Sequence, residues 1–131
     1  MTEVRLVNSR VAFQGAFDAL IEQESGGRPG AVGPQTKYGR ALGMTQMLPD
    51  TAREMAAKVG LPFRPDLLRG TSPQAAEYQK RLGRAYFEEG LAKTGNLRDA
   101  LHYYHGGPDR SLWGPKTKAY AASVMRRMGG R

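Results

Sequence analysis

Apolar residues recur with helical spacing from residue 9 onward. Phe13, Phe17, Leu20 and Ile21 fall at i, i+4, i+7 and i+8, and Glu24 takes the next step of the same face at i+11. This periodicity predicts a helix over 9–25, with Ser9 as N-cap and Gly26-Gly27 as the stop. The stripe then vanishes. Residues 26–43 hold six glycines and two prolines, which predicts a long ordered loop with room for a short hairpin inside 28–43. A second helix is expected from near Pro49 to Lys58 or Val59, ended by Gly60 and Pro62. FRPDLLRG reads as a turn with a short docked segment. Ser72-Pro73 opens the longest helix, which runs to about Lys93 and stops at Gly95. Asn96 caps a fourth, Leu97 to Tyr104, ended by Gly106-Gly107-Pro108. Pro115 opens a fifth, with Tyr120, Ala121, Val124 and Met128 on one side. No long strand, repeat or low-complexity linker competes. The expected fold is mainly α: one compact helical domain over 1–131 with a long loop after its first helix.

Composition narrows the chemistry. The chain has 131 residues, enough for one core. It has no cysteine, so no disulfide or thiolate site is available, and His102 and His105 alone cannot close a metal site. No metal and no cofactor are expected. Lys plus Arg number 20 against 12 acidic residues, a net charge of +8. That charge suits an anionic partner such as nucleic acid, a membrane surface or a cell-wall polymer, or serves solubility alone. No stretch approaches the ~20 apolar residues of a transmembrane segment, and MTEVRLVNSR has no apolar run of signal-peptide type. The abrupt end at RRMGGR is read as the edge of a domain taken from a longer chain.

Glu24 is the odd residue. A carboxylate at the C-terminal end of a helix faces the negative end of the macrodipole, where Lys or Arg would serve better. One reading is a solvated surface glutamate. The other is a general acid, its pKa raised above the ~4.3 of a free glutamate by an apolar wall and the helix end, holding a proton for a leaving group.

Three blocks of text add to this. Glu24-Ser25 comes first, ALGMTQMLPDTA over 41–52 second, and YYHGGP over 103–108 third. In that order, ES, A-x-G-x-x-Q-x-x-P-x-T-A and a Y-N-x-G-like run resemble the lytic transglycosylase family with the soluble-transglycosylase (SLT, goose-lysozyme-like) domain. The resemblance spans roughly residues 13–108. It implies a lysozyme-like fold, with Glu24 as catalytic acid/base and Ser25 as the serine that follows it. It implies that Ala41, Gly43 and Gln46 line a sugar groove, with Gln46 on the glycan and Met44 and Met47 beside it. Gly83 and Tyr86 match a helical glycine and an active-site tyrosine, and Tyr104 matches the tyrosine of the third block. Three departures stand out. His105 replaces the third block's asparagine, and a neutral imidazole has a different reach from an amide. Gln79 replaces an asparagine four residues before Gly83, and the resemblance places it with Ser25, Tyr104 and His105 among the expected substrate contacts. The loop over 26–40 looks longer than usual, with GPQTKYGR inserted, text associated with phage virion enzymes.

The resemblance implies a reaction on one carboxylate. Protonated Glu24 would donate to the oxygen between N-acetylmuramic acid and N-acetylglucosamine in peptidoglycan. It would then take a proton from the sugar's own 6-hydroxyl, leaving a 1,6-anhydro end. Asp50, Glu54 and Asp66 read as helix-start or turn acids, and Glu89 as solvated or salt-bridged, so no second carboxylate pairs with Glu24. Gly83 in mid-helix reads as close packing or as room for substrate, and Trp113 as a core plug or a sugar-stacking ring. The expected partner is the glycan strand, together with other virion proteins, with no specific nucleic acid, and the isolated domain is expected to be a monomer. The expected location is a phage virion or, after delivery, the periplasm and cell wall. Three competing readings remain: a muramidase on the same scaffold, a non-enzymatic basic module on nucleic acid, and a virion domain with a decayed site. The scattered basic residues argue against the second.

Overall fold

Prolines and short polar side chains set most of the helix starts. In the computed structural model, which describes residues 3–129 with side chains from residue 9 on, α2 (Pro49–Lys58), α4 (Pro73–Thr94) and α6 (Pro115–Gly129) each begin on a proline. The missing N–H there is one no helix could satisfy internally. Ser72 Oγ accepts from Ala75 N at 3.1 Å, and Asn96 Oδ1 accepts from Asp99 N at 2.8 Å to open α5 (Leu97–Gly106). Both are the caps the sequence predicts. The docked FRPDLLRG segment forms the short α3, Pro65–Arg69. A 3-10 turn spans Arg110–Leu112.

The first helix corrects the reading of Ser9. Helix α1 runs Glu3–Ser25, so Ser9 lies inside it and caps nothing. No glycine or proline interrupts residues 3–8, and an exposed serine is tolerated in a helix interior. Gly26 and Gly27 end the helix with φ of 65° and 81°, the left-handed conformation that a C-terminal glycine supplies. The readings of MTEVRLVNSR and RRMGGR reach residues 1, 2, 130 and 131, which lie outside the described residues.

The long loop contains the hairpin. Strands β1 (Val32–Thr36) and β2 (Gly39–Leu42) pair antiparallel, with Val32 opposite Leu42 and Thr36 opposite Gly39. The register shifts between Val32 and Gln35, a bulge that bends the ribbon.

Contacts divide the chain into two units, 24–86 and the remainder, 1–23 with 87–131. Within 24–86 the core gathers Leu42, Met47, Ala52, Met55, Ala56, Leu68, Tyr78 and Leu82. Met47 and Met55, each 3% exposed, are core residues. In the other unit, Phe13, Phe17 and Phe87 stack on one another, and Tyr104 meets the Phe87 ring edge-on with centroids 6.4 Å apart. Helix α5 packs along α6 there. The face predicted from spacing is buried through Phe17, Leu20 and Ile21. The chain passes from one unit to the other inside α1 and again inside α4.

Candidate active site

Glu24 is the first residue of the 24–86 unit and sits, partly buried, one residue before the end of α1. The chain around it is fixed by backbone hydrogen bonds. Ser25, 4% exposed, donates its hydroxyl to Met44 O at 2.8 Å and accepts from Gly27 N at 3.2 Å. Arg28 reaches back and donates Nε to Ser25 O at 2.8 Å. The last turn of α1 holds no basic residue of its own, so Arg28 supplies the cation that a helix C-terminus favours. The end of α1 is thereby pinned to the second block.

That block is held from below by Gln79, which is 1% exposed on α4. Its Oε1 accepts from Met44 N at 2.9 Å and Gly30 N at 3.3 Å. Its Nε2 donates to Leu67 O at 2.8 Å and Gly70 O at 2.9 Å. An amide has two acceptor and two donor places, and all are taken by backbone. Gln79, expected beside the glycan, thus has no hydrogen-bonding capacity left for a sugar. It ties the loop after α1, the second block and the α3 segment to one helix. Gly43 makes this possible: a Cβ there would lie 2.8 Å from Gln79 Cγ, and its φ is +85°.

The choice left open at Gly83 is resolved by Thr45. A Cβ at position 83 would lie 2.6 Å from Thr45 Oγ1. Thr45 is itself buried and donates to Gln79 O at 3.2 Å. The glycine is there for close packing of the second block on α4.

Gln46 has the one positive φ among the described non-glycine residues, +52°. Such a backbone costs on the order of 1–3 kcal/mol and survives only where the surroundings impose it. Its Nε2 donates to Ala31 O and Gly43 O, both at 3.0 Å. Its Oε1 lies against Gly33, where a Cβ would approach to 2.7 Å. The side chain therefore joins the base of the hairpin to the second block. Its oxygen, with no protein donor among the described residues, is an acceptor available to a ligand. Met44 and Tyr86 are half-buried, and Tyr86 packs against the core of this unit.

The other carboxylates of this unit, Asp50, Glu54, Asp66 and Glu77, are all exposed. Asp50 pairs with Arg53 at 3.4 Å, Asp66 with Arg64 at 2.7 Å and Glu77 with Lys80 at 2.9 Å. The Arg64 hydrogen bond holds the Asp66 carboxyl below the ordinary carboxylate range.

Tyr104, His105 and Glu89 belong to the other unit. Tyr104 is 8% exposed among the phenylalanines. His105 stacks on Tyr120 with centroids 4.6 Å apart, and its Nδ1 lies 3.0 Å from Thr117 Oγ1. Burial of the ring lowers its pKa below the usual histidine value. Glu89 accepts from the Tyr103 hydroxyl at 2.6 Å. Trp113 donates Nε1 to Gly107 O at 2.8 Å, with Arg110 stacked 4.8 Å from its ring centroid. Among the described residues, no cluster of His, Cys, Asp and Glu suits a metal ion, and no helix is long and apolar enough to cross a membrane.

Sequence reasoning missed Thr45, Arg28 and the backbone role of Gln79. Gly83 was the signal for the first, since a mid-helix glycine asks what approaches it. Nothing in the spacing indicates that the Gln79 amide turns inward.

A mainly α, lysozyme-like domain with a carboxylate at the end of its first helix, braced by a glycine-rich loop, defines the class. The chain belongs to the transglycosylase SLT domain family, whose model matches residues 12–125. It is also 31% identical over 108 residues to a protein of Enterobacteria phage PRD1 named "Transglycosylase". That match covers 82% of this chain and 34% of the phage protein, so the chain spans about a third of its relative's length.

Proposed function

We propose that this chain is a peptidoglycan lytic transglycosylase working on a single carboxylate, Glu24. The observation that carries the reading is the double pin on Glu24's helix end. Ser25 is bound to Met44 O, and Met44 N is bound to Gln79, while every other carboxylate of the unit is exposed. A carboxyl group carried on a pinned helix end, in the same unit as the acceptor Gln46 Oε1, suits proton transfer to a bound glycan. The protonated Glu24 carboxyl donates to the β-1,4 glycosidic oxygen between N-acetylmuramic acid and N-acetylglucosamine, and the C1–O bond breaks. The substrate's N-acetyl group stabilises the charge that develops at C1, an exception to the two-carboxylate rule. The Glu24 carboxylate then takes the proton of the same sugar's 6-hydroxyl as that oxygen bonds to C1. The product is a 1,6-anhydro end, the glutamate is protonated again and no water is consumed.

Ser25 and Gln79 are assigned positioning roles, and Gln46, Met44 and Tyr86 the walls and contacts of the groove. The motif alone assigns Tyr104 and His105 to the substrate. The phage origin of the relative supports a phage enzyme acting on the cell wall, and the role assigned to it is local opening of the wall, as part of the virion, for DNA entry. Mass spectrometry of the soluble products from purified peptidoglycan, for wild type beside Glu24→Gln, tests this. Anhydro-ended muropeptides from wild type alone are expected. Reducing ends, heavier by a water, would make the protein a muramidase, and no product from wild type would remove the enzymatic reading.

A further inference from the structure

The hairpin is the part of the 24–86 unit that the candidate site uses only at its base. There, Ala31 O accepts from Gln46 Nε2 and from Gly43 N at 2.8 Å, so hairpin and groove block form one piece. At the far end the turn is held by its own side chain. Thr36 Oγ1 accepts from Tyr38 N at 3.1 Å and donates to Gly39 O at 2.6 Å. This fixed turn presents Tyr38, which is 63% exposed, with Lys37 Nζ 5.1 Å from its ring centroid. Arg40 is exposed beside it, one guanidinium nitrogen bracing Gly33 O at 3.0 Å. No acidic residue occurs from Ser25 to Pro49, whereas Arg28, Lys37 and Arg40 all do. At about 3.3 Å of rise per residue, the tip lies roughly 10 Å beyond Gly33, the residue against Gln46 Oε1.

We propose that the hairpin tip is an outer contact for the peptidoglycan strand. Tyr38 packs on the strand, and Lys37 and Arg40 meet carboxylates of its peptide stems. The inference rests on the proposed function. A neutral glycan gives the two cations nothing to pair with. Nucleic acid is disfavoured because so few cations fall short of the ~6–10 phosphate contacts of a typical binding surface. Continuity with Gln46 places the tip where a strand leaving the groove would pass.

Co-sedimentation with purified insoluble sacculi tests it, using the full chain carrying Glu24→Gln, with and without Lys37→Ser/Tyr38→Ser. The tip variant should bind about fivefold more weakly, with a shallower salt dependence and an unchanged melting temperature. In the active background the same pair should raise KM on intact sacculi and leave turnover of short stem-free glycan fragments unchanged. Equal binding with and without the tip residues overturns the proposal while leaving the enzyme reading intact. A tip-dependent affinity for duplex DNA but not for sacculi also overturns it. Tip-dependent sacculus binding by a wild type that releases no product sustains the contact and removes the enzymatic reading instead.

Discussion

At the residue scale, the strongest demands come from buried side chains bonded to backbone. Gln79→Leu would strand Met44 N, Gly30 N, Leu67 O and Gly70 O in a buried place. Unpaired buried groups cost about 1–3 kcal/mol each, with partial relaxation, so a loss of about 3–4 kcal/mol in a denaturant titration is expected. Gln79→Glu should be nearly as damaging at neutral pH, because its second oxygen faces two carbonyls. It should recover partly in acid, where a protonated carboxyl donates again. Gly83→Ala is a second case. Helix propensity favours alanine by about 1 kcal/mol. The new methyl, however, would press on Thr45, which is buried and bonded, and overpacking costs about 1–3 kcal/mol. Net destabilisation, read as a lower denaturation midpoint, is the expected outcome. The motif singles out Glu24, Ser25 and Gln46, and the structure places all three in the 24–86 unit, at the end of α1 and in the second block. The direction in which Gln79 points was not legible, because an amide four residues before a glycine can face sugar or backbone alike.

At the element scale, boundaries were legible wherever the backbone needs a particular residue. Pro49, Pro73, Pro115 and Asn96 mark helix starts because a fixed φ, a missing N–H or a side-chain acceptor is useful only there. Ser9 misled because serine is compatible with both a cap and an exposed helical position. The hairpin's bulge was invisible because glycine and proline in a run show that the chain turns, not which residues pair. Asn96→Ala should cost about 1 kcal/mol, or roughly 3–5 °C in melting temperature, since Asp99 N loses its acceptor. The α5–α6 pair carries a pH dependence through His105, whose pKa burial depresses below the usual 6.5. The folded state therefore prefers the neutral ring. Between the depressed value and ~6.5 the unfolded chain binds more protons, so stability rises with pH across that window. This contribution is fully present above ~6.5 and is lost as pH falls. Melting curves from pH 5 to 7 should show a flatter slope for His105→Asn than for wild type; parallel slopes would remove His105 as the source.

At the scale of the whole molecule, the chain's path decides how it unfolds. One unit is a single run, 24–86, but the other is assembled from both ends, 1–23 and 87–131. The boundary at 23/24 falls within α1, and the boundary at 86/87 falls within α4. Melting one unit alone would sever α4 in mid-course and strip the last two residues from α1, leaving helix ends without caps and with orphaned N–H and C=O groups. Such a state is costly, so the expectation is one cooperative transition, as for most domains under 150 residues. The chain carries its own reporter. Trp113 is the sole tryptophan and belongs to the two-segment unit, while far-ultraviolet circular dichroism reports every helix. The two signals should give coincident midpoints in urea. A more searching version places Gly83→Ala in the other unit and follows Trp113. If the units share one transition, the fluorescence midpoint should fall with the dichroism midpoint, although the side chain nearest the substitution, Thr45, belongs to its own unit. A fluorescence curve left in place while the dichroism curve moves would mean two independently melting units, and residues 1–131 would then not be one folding domain.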